Sequence, residues 1–299
     1  MSAALDMPGI ALRAETLIAL RSLALHHEDN TVLAALPGGF VTKRRGHGQE
    51  MADVREYVAG DDIRHLDRGS TARTGTLHVR SFQEERDRVT LLVADFRPAM
   101  LWGTRRALRS VAVAEALALI GWRIIEQGGR VGLLAIGAAE PVVVSVKGRI
   151  RGMLALIGGL VRAHDAALQL ALAGERNDPV LDGALARINR VAPTGAEIVI
   201  ASGFDTPGPD LRDRLGQISQ RRTPRLISVV DDVAENLPPG VYPIRMPDGS
   251  RRRARITGQD RAEPASEIAG FPVLRLDSGQ DVATTARVLQ AAFPPDREP

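Results

Sequence analysis

Three features of this 299-residue sequence predict an α/β protein built on a doubly wound, mostly parallel sheet, preceded by an N-terminal helix and a charged collar segment. Near-continuous runs of Val, Leu and Ile recur along the chain, as expected of strands buried on both faces. Stretches of helical periodicity separate those runs from residue 89 to residue 292. Hydrophobic residues make up 44% of the chain and charged residues 25%, enough apolar surface for a sizeable core.

The elements follow in order. Residues 12–25 place Leu17, Leu20 and Ala24 on one helical stripe, with His26 and His27 at the negative end of the helix dipole. Two arginines and no aromatic anchor make this a helix docked on protein rather than on a membrane. From Lys43 to Arg88, ten Lys or Arg and nine Asp or Glu interleave over 46 residues, with Val54, Tyr57, Val58, Ile63 and Leu66 as apolar anchors. Balanced charge of this kind reads as an ion-paired collar packed on a neighbour, not as a phosphate-binding stripe. The collar ends in a strand after Gly75, where Leu77, Val79 and Ser81 alternate with Thr76, His78 and Arg80.

Strands then fall at 89–95, 130–136, 197–202, 225–231 and 271–276, with a short edge strand at 142–146. Helices fall at 105–127, 150–162, 181–191, 209–220 and 280–292. Residues 241–245 and 251–256, joined across Pro247-Asp248-Gly249-Ser250, read as a hairpin on the turn chemistry of Asp-Gly. The domain division expected is 1–88 for the helix and collar and 89–299 for the α/β domain.

Composition excludes several functions. Without cysteine there is no disulfide framework, thiolate metal site or cysteine nucleophile. Aromatic residues, at 3%, are too few for base-stacking platforms. The net charge of +3 is small, and 37 Arg against two Lys account for the high pI without requiring a polyanion, so no nucleic-acid partner is expected. Glu115 interrupts the best apolar run, Val111 to Trp122, so no transmembrane segment is expected. Arg13, Glu15 and Arg21 break any secretory leader, and the cytoplasm is the expected address.

Catalytic patterns are missing in turn. Neither lysine stands in a phosphate-cradling Gly-Lys-Ser/Thr, Gly46 and Gly48 lack a third glycine in register, and no Gly-x-Ser-x-Gly or His-Glu-x-x-His occurs. His26, His27, Glu28 and Asp29 are too closely strung to converge on one metal, and His47, His65, His78 and His164 stand singly. A hydrolase on Asp61, Asp62 and His65 would rest on one acidic turn. The tract Arg251 to Arg255 is the one basic cluster. With Asp248 and Asp260 flanking it and no aromatic interleaved, it reads as a solvated hairpin arm. No catalytic residue and no cofactor is expected.

The collar carries the most specific signal. Arg55-Glu56-Tyr57-Val58-Ala59-Gly60-Asp61-Asp62-Ile63-Arg64-His65-Leu66-Asp67, then Ala72-Arg73-Thr74-Gly75 and Arg80 through Glu84-Glu85-Arg86, resembles the signature of the DUF58 family. The motif match covers residues 38–100, and element order extends it to Leu276. Family members usually carry Trp where this chain has Arg68. On physical grounds Gly60 permits a tight turn, Asp61 and Asp62 can accept backbone amides, and the arginines can fork onto the remaining carboxylates. The segment is thus either a structural clasp or a docking face.

The resemblance implies a Rossmann-like von Willebrand factor A domain after the collar, and lets that domain's metal-binding loops be laid on this chain. The first reads Asp95-Phe96-Arg97-Pro98-Ala99, keeping the aspartate and losing both hydroxyls. The second has Pro179 where Thr is expected, and the third has Gly203 in the acidic place with Asp205 two residues on. One ligand of five is too little to hold Mg²⁺, so no metal is expected, and Arg97 could stand where the ion would sit. The resemblance further implies a non-enzymatic interaction protein partnered by a MoxR-type AAA ATPase. The alternative is a divalent-metal-dependent ligand binder using Asp95, Asp205 and collar carboxylates.

Overall fold

The computed structural model describes residues 6–26, 50–58, 66–83, 88–175, 177–246, 250–257 and 265–293. In chain order its elements begin α1 (Ala14–Leu25), β1 (Glu50–Glu56), α2 (Arg68–Thr74), β2 (His78–Gln83), β3 (Val89–Asp95), α3 (Arg109–Glu126), β4 (Arg130–Ile136), β5 (Val142–Gly148) and α4 (Arg149–Leu172). They continue α5 (Leu181–Leu185), α6 (Ile188–Val191), β6 (Glu197–Ser202), α7 (Leu211–Ser219), β7 (Thr223–Val230) and α8 (Asp232–Glu235). The last are β8 (Gly240–Arg245), β9 (Arg251–Ile256), β10 (Glu267–Ile268), β11 (Phe271–Asp277) and α9 (Val282–Ala292).

The chain forms two units, Thr42–Asp87 and the combination of Met1–Val41 with Arg88–Pro299. This grouping moves α1 out of the 1–88 segment to which the sequence assigned it. Leu17, Leu20 and Ala24 lie in one apolar cluster with α3, and the Trp122 indole donates to the Leu17 carbonyl at 2.9 Å. Burying that stripe against α3 is what holds α1 to the α/β unit.

In the larger unit seven strands run in the order β10-β11-β7-β6-β3-β4-β5, parallel except at the two edges, where β5 and β10 are antiparallel to their neighbours. β3 alternates its faces: Leu92 and Ala94 belong to the apolar cluster that includes α1, α3, α4 and α9, while Leu91 and Val93 belong to the one that includes α5, α6 and α7. Helix α3, covered by the sheet and by its helical neighbours, is buried almost all round. Glycine at 159 lets α4 lie close on the sheet, since a Cβ there would press on Val144 and Leu133.

Three differences from the sequence reading have local causes. α4 runs to Leu172, ten residues past Arg162, because its apolar face continues through Ala163, His164 and Ala167. The helix expected at 181–191 is two short helices, α5 and α6. Strand β1, unmarked by period-two patterning, is paired antiparallel with β2 and carries a register shift between Met51 and Asp53.

Among the described residues no helix is long and apolar enough to cross a membrane.

Candidate functional site at the carboxyl edge of the sheet

The chain leaves β3 toward β4 on one side and returns to β6 on the other, so the loops after β3 and β6 diverge. Such a switch point opens the crevice in which doubly wound sheets usually hold a ligand. Here one side chain occupies it. Asp95, at the end of β3, is 1% exposed and Arg97, two residues on, is 0% exposed. Arg97 Nε lies 3.0 and 3.1 Å from the two Asp95 carboxylate oxygens and Nη2 lies 2.8 Å from Oδ2. The Arg97 main-chain N–H donates to Oδ1 at 3.0 Å, and the Ser202 hydroxyl at the end of β6 donates to Oδ2 at 2.6 Å.

The outer nitrogen of Arg97 ties three loops together. Nη1 donates to the carbonyls of Pro179, at 2.5 Å, and Thr206, at 2.9 Å, and stands 3.9 Å from an Asp178 oxygen. Asp178 in turn accepts from the Ala99 N–H at 3.1 Å and from the Thr206 hydroxyl at 2.8 Å. Burial opposes the charge on Arg97, but the hydrogen bonds of Asp95 and the fields of Asp95, Asp178 and Asp205 outweigh it, so its pKa is raised above the ordinary arginine value.

A second arginine fills the neighbouring position. Arg109, in the first turn of α3, pairs through both terminal nitrogens with Asp205. Met100 Sδ accepts from Arg109 Nη2 at 3.2 Å and from the Gly203 N–H at 3.1 Å. A Cβ at Gly203 would collide with the Arg109 guanidinium and the Asp205 carboxylate. Gly203→Ala is therefore expected to push these two side-chain ends aside at a cost of no more than about 1 kcal/mol, read as a small drop in melting temperature. At the end of β7, Asp231 accepts the Thr104 N–H and hydroxyl, both at 2.6 Å. Burial pushes its pKa up, yet these bonds outweigh that and hold it below the usual carboxylate value.

A divalent cation would not fit these residues. It needs about six oxygen ligands, whereas both Asp95 oxygens already accept hydrogen bonds and the Arg97 guanidinium lies against them. Among the described residues no group of three or more His, Asp or Glu side chains is placed to hold a metal ion.

Other residues singled out in the sequence scatter. Ala99 contributes only its N–H, and Pro179 only its carbonyl. In the smaller unit Asp67 caps α2, accepting from the Ser70 N–H at 2.7 Å, and Gly75, with φ +78°, closes the helix by donating to the Thr71 carbonyl. Arg73 lies exposed in the last turn of α2, and Arg68 lies exposed at its first position. Arg55 and Glu56 stand opposite Val79 and His78 in the β1–β2 register, and the Tyr57 N–H donates to the Leu77 carbonyl at 2.8 Å. Gly60, Asp61, Asp62, Arg64, Glu84, Glu85 and Arg86 lie outside the described residues.

Sequence reasoning missed Asp178, Ser202, Thr206 and Arg109. Ser202 lies inside the third loop with no role assigned to it, while Asp178 precedes Pro179 and Thr206 follows Asp205, so widening each loop by one residue finds both. Nothing in its neighbours marks Arg109.

A family model described as "Protein of unknown function DUF58" matches residues 53–262, more than half of the chain. The chain belongs to the DUF58 family. This DUF58 protein is also similar to uncharacterized proteins of Mycobacterium bovis and Mycobacterium tuberculosis, each 39% identical over 108 residues. The alignments cover 35% of this chain and 33% of each relative, so the chain spans about a third of the length of the curated relatives it matches.

Proposed function

We propose that this DUF58 protein is a non-enzymatic interaction module, an accessory partner of a MoxR-type AAA ATPase in assembling or activating other complexes. The observation that carries the first half is the buried Arg97–Asp95 pair. A crevice filled by the protein's own guanidinium leaves no room for a substrate or a coordinated ion, and work then falls to the surface around it. The ATPase comes from the family resemblance and is supported by nothing in the geometry itself. A manganese ion bound beside Asp95 in soaked crystals overturns this reading in favour of a metal-dependent binder.

Two faces are available for such a partner. On the loop after β3, Trp102 is 47% exposed, and exposed tryptophans are favoured anchors of protein interfaces. The collar motif that contains Arg64 is the second candidate. Titration of the co-expressed ATPase against wild type, Trp102→Ala and Arg64→Glu separates them. If the strand-end face docks, Trp102→Ala weakens binding by more than about tenfold at an unchanged melting temperature. Loss of binding in Arg64→Glu without loss of stability makes the collar a docking face, and loss of both makes it a clasp. Undiminished binding by both variants removes both faces from the proposal.

A further inference from the structure

The hairpin of β8 and β9 carries the basic cluster Arg251 to Arg255 on its second strand. Its register pairs Val241 with Arg255, Pro243 with Arg253 and Arg245 with Arg251. Alternate residues of a strand share a face, so Arg251, Arg253 and Arg255 form one row, spaced about 6.7 Å apart by the strand rise, with their opposed partners on the same face. All three are exposed, and Val241 beside them is 55% exposed. The opposite face holds Tyr242, Ala254 and Ile256, each half-buried, beside exposed Ile244 and Arg252, so the row of three arginines lies on the more exposed face.

Such a row costs local stability, because like charges at neighbouring positions of a sheet face repel. Among the described residues no carboxylate pairs with Arg251, Arg253 or Arg255, although the sequence has acids nearby at Asp248 and Asp260. This contrasts with Arg97, Arg106, Arg109, Arg225 and Arg275, each of which has a carboxylate partner. A row of fixed cations left open to solvent fits an extended anionic partner.

We infer that this hairpin face is a landing surface for a bilayer rich in anionic phospholipid. The neighbours of the arginines favour lipid over nucleic acid. Val241 and Pro243 lie opposite Arg255 and Arg253 on the same face, offering apolar contact to the headgroup boundary. The face has no aromatic ring to stack on a base and no Asn or Gln to read a base edge. Guanidinium groups bind lipid phosphates by charge and paired hydrogen bonds, with no cavity required. This inference does not depend on the ATPase partner.

The test is co-sedimentation of the full chain with phosphatidylcholine vesicles, with and without phosphatidylglycerol, across a salt series. Wild type is expected to bind the anionic vesicles only, and less as salt rises. Combined Arg251→Ala, Arg253→Ala and Arg255→Ala is expected to weaken that binding on the order of a hundredfold at an unchanged melting temperature. The corresponding triple lysine variant is expected to keep most of it. Should the triple alanine variant melt early, Arg253→Glu alone carries the same comparison. Failure of wild type to bind the anionic vesicles, or equal binding by the alanine variant, overturns the inference. Retention by duplex DNA but not by vesicles also overturns it and assigns the row to nucleic acid.

Discussion

Replacing Arg97 with alanine is expected to destabilise the protein by about 3–5 kcal/mol, the usual cost of removing one partner from a buried ion pair. Asp95, at 1% exposure, would keep a carboxylate in the interior with only Ser202 and a main-chain amide to face it. The Pro179 carbonyl would lose its Arg97 donor and the Thr206 carbonyl would keep only the Leu181 N–H, loosening the loops after β3 and β6 and the one before α5. Arg97→Lys should recover only part of the loss, since a single ammonium cannot reach Asp95 and both carbonyls in the fork geometry of a guanidinium. The double variant Asp95→Asn with Arg97→Met should be more stable than Arg97→Ala, because it leaves no buried charge unpaired. Urea denaturation of the four proteins measures this cycle. A loss below about 1 kcal/mol for Arg97→Ala would place the pair in the range of exposed ion pairs and remove the internal cation from the proposed function.

Stability is also expected to fall as the pH drops from about 6.5 toward 4, through His164. This side chain is 0% exposed, its Nε2 lies 3.1 Å from the Ser110 hydroxyl, and the Phe96 ring meets it edge-on at 5.5 Å. Its Nδ1 has no hydrogen-bond partner among the described residues. Burial lowers its pKa to about 4 from the ordinary 6.5. Between those values the unfolded chain binds a proton that the folded one does not, so acid favours unfolding. The full difference is about 3 kcal/mol, fully present above pH 6.5 and lost by about pH 4. His164→Gln removes the titrating group, and its stability should be flatter over that window whatever its absolute value. Denaturant midpoints at half-unit pH steps measure the slope, and equal slopes in the two proteins would mean that the buried imidazole does not titrate as described.

Much of the framework is legible in the order of residues alone. The runs at 89–95, 130–136 and 197–202 form β3, β4 and β6 with the same bounds, because strands buried on both faces must be apolar throughout. Leu17, Leu20 and Ala24, picked from periodicity, are the buried residues of α1. The expected hairpin strands pair as β8 and β9, while the Asp248-Gly249 turn read between them lies outside the described residues. β1 escapes notice because it is charged and shifted in register, so its pairing with β2 leaves no alternation to see.

The candidate site is legible only in its first member. Asp95 stands out as an acid closing an apolar strand, and Arg97 as the odd residue two positions later. Their partners come from sequence separations of 82 and 109 residues, at Pro179 and Thr206, and Arg109 reaches Asp205 across 96. Apolar patterning is local and therefore survives in a single sequence, whereas the choice among many arginines and aspartates is made by which loops the sheet order brings together. The sequence by itself determined the layered α/β architecture, the faces of its helices and the family. Only the tertiary structure decided that Arg97 turns inward onto Asp95 and that Arg109 fills the place beside Gly203, because both depend on which loops the topology brings together.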